Sequence, residues 1–137
     1  MRIFLDTNVL VSAFATRGLC ADVLRVVLSE HELITSEDVL AEFQRVLEKK
    51  LSVPIRTVSE ILTMLRGHHV EPTPSGYIRA GLRDQADEQI LAGAISSGSD
   101  ILVTGDNDLL DFSGRVEGVR ILSPRGFWEV IGQGKSG

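Results

Sequence analysis

Two short apolar runs, each followed by a polar turn that carries acids, constrain the fold more than any other feature of the sequence. The first is Ile3-Phe4-Leu5, which stops at Asp6-Thr7-Asn8. The second lies within Asp100–Thr104 and runs into Gly105-Asp106-Asn107-Asp108. Short apolar runs bounded by turn residues are typical of strands buried on both faces, as in a parallel sheet. Both groups of acids are therefore expected at strand ends.

Helical periodicity fills the segments between the strands. It predicts helices over 9–14, 24–28, 36–47, 58–67, 84–98 and 127–131, with Ser36 as an N-cap, and short strands at 31–35, around Val70 and at 119–122. This alternation predicts an α/β fold, a three-layer α/β/α sandwich around a mostly parallel central sheet. We expect residues 1–132 to form a single domain and residues 133–137 to be a loose tail.

Composition limits the functions that this chain can have. With 137 residues, of which 43% are hydrophobic, it can bury one continuous core. A net charge of −5 argues against a protein that coats nucleic acid, because non-specific phosphate binding needs a surplus of Lys and Arg. Nucleic acid has to be bound locally instead, by cations and a few arginines. No apolar run approaches the roughly 18 residues that span a bilayer, so we expect a cytoplasmic protein without membrane contact.

Acids from two strand ends and from the start of a helix are placed to meet at one edge of the predicted sheet. Ligands of open parallel sheets bind outside the carboxyl ends of the strands, where the strand order changes. Asp6 and Asp106 follow the two buried strands. Asp87 lies in the first turn of a helix, and Glu42 borders the apolar stripe of another helix. Helix capping, a solvated helix edge or an Asx turn explains each acid alone, but not their placement at one expected crevice.

A convergent group of carboxylates indicates a bound cation. Two like charges about 4 Å apart repel by roughly 4 kcal/mol at an effective dielectric constant of about 20, so three or four are unfavourable together without one. Oxygen ligands suit Mg²⁺ or Mn²⁺, while Cys and His are too few and too scattered for a zinc site. Cations held in this way activate water and neutralise charge on a phosphate. The chemistry that this predicts is phosphodiester hydrolysis.

These residues make the chain resemble the PIN-domain family of metal-dependent ribonucleases, in particular small prokaryotic members that are toxins of toxin-antitoxin pairs. The resemblance covers nearly the whole chain. It rests on an ordered set of motifs, namely Ile3–Leu10, Glu42, Asp87–Leu91 with Ala94, Val103–Leu110 and Ser123–Phe127. It implies a PIN-like sandwich whose acidic pocket is formed by Asp6, Glu42, Asp87 and Asp106.

The resemblance also implies a role for each residue of the pocket. Asp6, Asp87 and Asp106 would be direct metal ligands. Glu42 would bind metal or orient the attacking water. Asn8 and Thr104 would donate hydrogen bonds that orient the metal-binding carboxylates.

Two further residues have open roles. Asp108 is a substitute or accessory ligand, so that either Asp106 or Asp108 is the fourth acid. Arg17, in the loop near the first strand end, either touches an RNA phosphate or is an ordinary solvated arginine.

The resemblance finally implies single-stranded RNA as the substrate, a homodimer, and an antitoxin protein that masks the pocket. Two alternatives stay open. One is a non-catalytic PIN-like binding module, which would need no metal. The other is a Mg²⁺-dependent phosphoaspartyl phosphatase or receiver domain, although Asn8 stands where an Asp-x-Asp phosphatase needs its second acid, and no lysine follows a late strand.

Overall fold

A parallel sheet forms the centre of the molecule. The computed structural model describes residues 1–76 and 79–135, the last three by their backbone alone. In this part of the chain, five strands pair in the order β3-β2-β1-β4-β5, and every pairing is parallel. The strands are β1 (Arg2–Leu5), β2 (Glu32–Ser36), β3 (His69–Glu71), β4 (Ile101–Val103) and β5 (Arg120–Leu122).

Helices flank this sheet and complete the predicted α/β/α sandwich, which is confirmed. They are α1 (Thr7–Ala15), α2 (Leu19–Glu30), α3 (Glu37–Arg45) with a π-helical turn at Val46–Lys50, α4 (Ile55–Arg66), α5 (Gln85–Ser96), α6 (Asn107–Asp111) and α7 (Pro124–Lys135). Among the residues described, no helix is both long and apolar enough to cross a membrane.

The two apolar runs form the central pair of strands. Phe4 of β1 pairs with Leu102 of β4, and both side chains are fully buried. Burial on both faces explains why these strands are apolar without alternation. The predicted N-cap of α3 is also confirmed, because the Ser36 hydroxyl accepts a hydrogen bond from the Val39 amide at 3.2 Å.

Several predicted boundaries differ from the structure, and three of them have a clear local reason. The expected turn at 105–108 is interrupted by α6, because the Asp106 side chain accepts the Leu109 amide and caps a helix. Helix α1 begins at Thr7 rather than at residue 9, directly after its cap Asp6. Helix α7 begins at Pro124, a residue favoured at a first helical position, and extends to Lys135.

The backbone of residues 133–135 continues α7, so the helix extends past the predicted domain boundary at residue 132. The division into a domain at 1–132 and a tail at 133–137 stays a prediction. Glycines in this stretch lower helix propensity but do not by themselves end a helix. Ser136 and Gly137 lie outside the described residues.

The order of the strands places the site. From β1 the chain proceeds to β2 and β3 on one side, and then to β4 and β5 on the other side. The order thus reverses between β1 and β4, and a crevice opens outside the carboxyl ends of strands at such a point. Asp6 follows β1 directly, and Asp106 follows the end of β4. Both acids therefore lie at the crevice.

Candidate metal centre

A cleft of about 540 Å³ lies at this crevice. We divide its charged lining into two groups. The aspartate group comes from the ends of β1 and β4 and the start of α5, and consists of Asp6, Asp84, Asp87 and Asp106. The α3 group comes from one helix and consists of Asp38, Glu42 and Arg45. The cleft is thus lined by six acids and, among the residues described, one base.

A buried hydrogen-bond network fixes the strand-end acids. The Thr104 hydroxyl donates to Oδ2 of Asp6 at 2.7 Å, and the Thr7 amide donates to Oδ1 of Asp6 at the same distance. Thr104 Oγ1 also accepts the Asp106 amide at 3.0 Å. Thr104 is fully buried, and Asp6 is only 7% exposed. One threonine therefore links the two strand ends and sets the position of both acids.

Three carboxylates come close enough together to share a cation. Asp87, Asp106 and Asp108 each offer an oxygen, and these oxygens all lie within 4.8 Å of one another. Asp87 comes from the first turn of α5, while Asp106 and Asp108 come from the start of α6. Arg83 Nη2 donates to Asp108 Oδ1 at 3.2 Å from the loop before α5. The cluster thus joins two chain segments that are distant in sequence.

Burial and neighbouring charges raise the pKa of two of these aspartates, Asp87 and Asp6. Burial and the charges of Asp106, Asp84, Asp6 and Asp108 together raise the pKa of Asp87 to about 6. Burial also raises the pKa of Asp6, against the opposing hydrogen bonds from Thr104 and Thr7. The aspartate group is therefore under electrostatic strain at neutral pH, and a cation would relieve it.

The chemistry of these donors fits a hard divalent cation. Within the described part of the chain, the groups that converge here are carboxylate oxygens, which suit Mg²⁺ or Mn²⁺ and do not suit zinc. Burial and the neighbouring carboxylates, which raise the pKa of Asp87, both make a positive charge at this place favourable.

The α3 group has a different environment. Arg45 donates from Nε to Oε2 of Glu42 at 2.9 Å and from Nη2 to Oε1 at 2.6 Å, so both carboxylate oxygens are bound. These hydrogen bonds lower the pKa of Glu42. Asp38, one turn earlier on α3, accepts a long 3.4 Å bond from Thr73 at Oδ1. Its Oδ2 is buried without a hydrogen-bond partner in the described part of the chain.

The structure brings most of the predicted site residues together. Five of them line the cleft, namely Asp6, Asn8, Glu42, Asp87 and Asp106. Thr104 lies beneath the cleft and contacts Asp6 as expected of a supporting residue. Asp108 joins the three-oxygen cluster. Arg17 is exposed in the loop before α2 and is not among the described residues that line the cleft. The functional roles of all these residues stay predictions.

Sequence reasoning missed three charged residues of the cleft. Asp38 and Arg45 lie about one helical turn before and after Glu42, so the helical period alone places them on the same face. Asp84 was expected only to start a helix, which it does by accepting the Ala86 amide at 2.8 Å. It also faces the cleft.

A fourth missed residue supports the site from the other side of α5. Glu88 is 1% exposed and accepts three backbone amides, from Ala80 at 2.8 Å, Gly81 at 2.7 Å and Leu82 at 2.6 Å. Burial alone would raise the pKa of Glu88, but these three donors outweigh it and lower the pKa. Glu88 thus ties the loop before α5 to the helix that carries Asp87.

Comparison with known proteins agrees with this geometry. A sequence model described as PIN domain matches residues 2–108. The chain belongs to the PIN-domain family. The resemblance proposed from the motifs is therefore confirmed. No curated protein sequence matches the chain.

Solved structures share the PIN fold of this chain. VapBC from Salmonella typhimurium bound to DNA is 24% identical with a TM-score of 0.63, and the match covers 90% of this chain and 98% of that one. VapBC2 from Rickettsia felis bound to a promoter DNA fragment is 18% identical with a TM-score of 0.61 and the same coverage. The PIN domain endonuclease Utp24 is 19% identical with a TM-score of 0.51, covering 89% and 84%. At these identities the likeness shows the fold.

Proposed function

We propose that this PIN-domain protein is a divalent-metal-dependent endoribonuclease that hydrolyses phosphodiester bonds of single-stranded RNA. The observation that carries the proposal is the cluster of Asp87, Asp106 and Asp108, whose oxygens lie within 4.8 Å of one another beside the buried Asp6. Membership of the PIN family and the fold shared with the endonuclease Utp24 support the same activity.

In this proposal the chain positions both the cation and the substrate. Mg²⁺ or Mn²⁺, when bound, would polarise the phosphodiester and supply an activated water. Asp6, Asp87 and Asp106 are the proposed ligands, with Asp108 as an accessory ligand. Thr104 keeps Asp6 and Asp106 at a fixed separation, so that the ligands need little rearrangement on binding. Asn8, at the exposed rim of the cleft, is placed to donate to a ligand carboxylate or to substrate.

We further propose that the protein is the toxin of a cytoplasmic toxin-antitoxin pair and that it acts as a homodimer. Support comes from the VapBC assemblies, whose toxin chains share this fold over nearly their whole length. A cleft with six acids and one base is also complementary to a basic segment of an antitoxin.

The test is cleavage of a fluorescent single-stranded RNA in Mg²⁺, in Mn²⁺ and in EDTA. Wild type is compared with the double variant Asp6→Asn, Asp87→Asn and with Asp22→Asn. Asp22 is a matched control because it lies on α2, outside the cleft, in an ion pair with Arg25. We expect metal-dependent cutting by wild type and by the control, and none by the double variant.

The same preparations separate the proposal from its competitors. A protein that binds neither Mg²⁺ nor Mn²⁺ and cuts nothing would be a binding module rather than a nuclease. Cutting that persists at full rate in the double variant would show that another site, or a contaminating nuclease, is responsible.

A further inference from the structure

Glu42 is already fully engaged within the cleft. Both of its carboxylate oxygens accept hydrogen bonds from Arg45, at 2.9 and 2.6 Å. The two residues are close neighbours on one face of α3, with Glu42 on the N-terminal side. Each of these oxygens keeps a second lone pair, but a cation that binds there would lie beside the positive charge of the guanidinium group, and this repulsion disfavours it.

Arg45 is the one basic side chain among the described residues that line the cleft. Glu42 occupies two of the five N–H donors of its guanidinium, so three remain. The side chain is 50% exposed and can therefore reach a ligand in the cleft. Planar guanidinium groups with free N–H donors bind phosphate oxygens strongly and in a fixed orientation.

The charge of the cleft makes such a group necessary for a nucleic-acid substrate. Six acids line it, and a phosphodiester that approaches them is repelled. Cations at the aspartate group would neutralise only the part of the substrate that they contact. The part over α3 needs its own positive group, and Arg45 is the side chain available there.

We propose that Glu42 acts by holding Arg45 in place and that Arg45 binds a backbone phosphate of the nucleic acid, with no direct role for Glu42 as a metal ligand. This inference rests on the proposed nuclease function and names a residue that contacts its substrate. Glu42 is a positioning residue in this arrangement. It holds a long side chain in one orientation before the substrate arrives and so lowers the entropy cost of binding.

A double-mutant cycle tests the inference. The variants are Glu42→Gln, Arg45→Gln and both together, and each is measured for Mn²⁺ affinity by calorimetry and for kcat and KM on a fluorescent single-stranded RNA. The matched control is the same cycle on Asp22→Asn and Arg25→Gln. That pair has the same spacing on α2, with a 2.8 Å contact, and lies outside the cleft.

We expect the substitutions to leave Mn²⁺ binding unchanged and their effects on RNA cleavage to be non-additive. Mn²⁺ affinity should stay within about twofold of wild type in all variants, since no ligand is lost. Arg45→Gln should lower kcat/KM by about 10- to 100-fold, the range of a charge-assisted hydrogen bond to phosphate. Glu42→Gln should raise KM by about tenfold and leave kcat close to the wild-type value, because Arg45 keeps its charge but has to be ordered when the phosphate binds.

The decisive quantity is the effect of Glu42→Gln when Arg45 is already replaced. We expect little or no further loss there, since a positioning residue has nothing left to position. The inference is overturned if Glu42→Gln lowers kcat/KM as much in the Arg45→Gln variant as it does in wild type, since Glu42 then acts independently of Arg45. It is also overturned if Glu42→Gln lowers Mn²⁺ affinity by tenfold or more, since Glu42 then binds the metal. The nuclease proposal survives that result as long as wild type cuts. A wild type that neither cuts RNA nor binds Mn²⁺ overturns both.

Discussion

The two charged groups of the cleft differ in how their charges are balanced. In the aspartate group, carboxylates face one another, and the pKa of Asp87 rises to about 6. In the α3 group, hydrogen bonds from Arg45 to Glu42 lower the pKa of that carboxylate. Glu37, at the start of the same helix, has its pKa lowered by hydrogen bonds from Arg66. Among the described residues, no basic side chain is paired with the aspartate group, whereas Glu42 of the α3 group is paired with Arg45.

The contrast indicates where in the cleft a cation binds with the larger gain in free energy. A cation that enters the aspartate group relieves repulsion that folding has imposed, so its binding is favoured beyond its own contacts. A cation that binds Glu42 would have to compete with the charge of Arg45. The proposed division of labour, metal on the aspartates and phosphate on α3, follows from this contrast. Variants that remove a charge from one group or the other therefore test this division most directly.

The largest expected effect comes from removing one charge of the aspartate group. Asp87→Asn should reduce RNA cleavage on the order of 1000-fold, which corresponds to the several kcal/mol that a metal ion contributes to the transition state. The metal-free variant should nevertheless be more stable than wild type, by on the order of 1 kcal/mol at pH 7, because repulsion is relieved at a partly solvated carboxyl. Cleavage rates and urea unfolding in EDTA measure the two changes.

The pH dependence of this stability gain has a definite sign. The pKa of Asp87 is raised on folding from its ordinary value of 3.8 to about 6, so its charged form destabilises the folded state above that pH. The gain from Asp87→Asn should be complete above pH 6 and should disappear as the pH falls to about 4. A metal-free variant that is less stable than wild type at pH 7 would contradict the assignment of strain to this group.

The sequence predicted the acids that follow strands better than the groups that surround them. Asp6 and Asp106 could be placed because an apolar run that stops at an acid marks a strand end, and parallel strand ends share an edge. The link through Thr104 was expected only from the family resemblance. Residue contacts across the sheet, such as Thr104 to Asp6, depend on the pairing of β1 with β4, which no local pattern specifies.

The next largest effect is expected at Glu88, which follows Asp87 directly but has its pKa lowered instead of raised. Glu88→Gln should lower the free energy of unfolding by about 3 kcal/mol, since an amide in this buried place puts its own N–H groups against three backbone donors. Urea unfolding measures the loss, with Glu60→Gln on an exposed face of α4 as the control.

The pH dependence of Glu88 should oppose that of Asp87. Its pKa is lowered on folding, so its stabilising contribution should be present above its ordinary value of 4.5 and lost as the pH falls through the lower folded value. A loss in Glu88→Gln no greater than in the control would show that the loop at residues 80–82 does not depend on this carboxylate.

Glu88 shows why sequence reasoning could not assign every acid. It follows Asp87 directly, and the first turn of a helix favours both. Its partners, Ala80, Gly81 and Leu82, lie in an irregular segment with no periodicity to read. Helix α6 was missed for a related reason, since five residues are too few to give a helical pattern. Arg45 was also missed, but its pairing with Glu42 could have been predicted from their spacing of three residues on a helix.

A smaller effect should follow from removing the link between the two strand ends. Thr104→Val leaves Asp6 Oδ2 and the Asp106 amide without their shared partner, and should weaken Mn²⁺ binding by about 10- to 100-fold, as is typical for supporting residues of metal sites. Calorimetric titration with Mn²⁺ gives the affinity.

Thr35→Val is a closely matched control for this substitution. Thr35 is equally buried, in β2, and its hydroxyl has no hydrogen-bond partner in the described part of the chain. We expect Thr35→Val to leave Mn²⁺ affinity unchanged. Equal affinities of the two variants would mean that the aspartate group does not rely on Thr104.

The smallest effect is expected at the ion pair of Glu37 with Arg66, which tests whether the acids of α3 are balanced by basic side chains. Arg66, in the last turn of α4, donates to both oxygens of Glu37 at 2.8 and 3.0 Å, and this lowers the pKa of Glu37. Glu37→Gln should lower the free energy of unfolding by about 0.5 kcal/mol at pH 7, since the pair is half exposed and screened by solvent. The difference from wild type should shrink as the pH falls below the ordinary value of 4.5 and vanish below the lower folded pKa of Glu37, where the folded wild type has lost this charge as well. Urea unfolding at pH 7 and at acidic pH measures it. A stability gain instead of a loss would place α3 under the same charge repulsion as the aspartates and remove the distinction between the two groups.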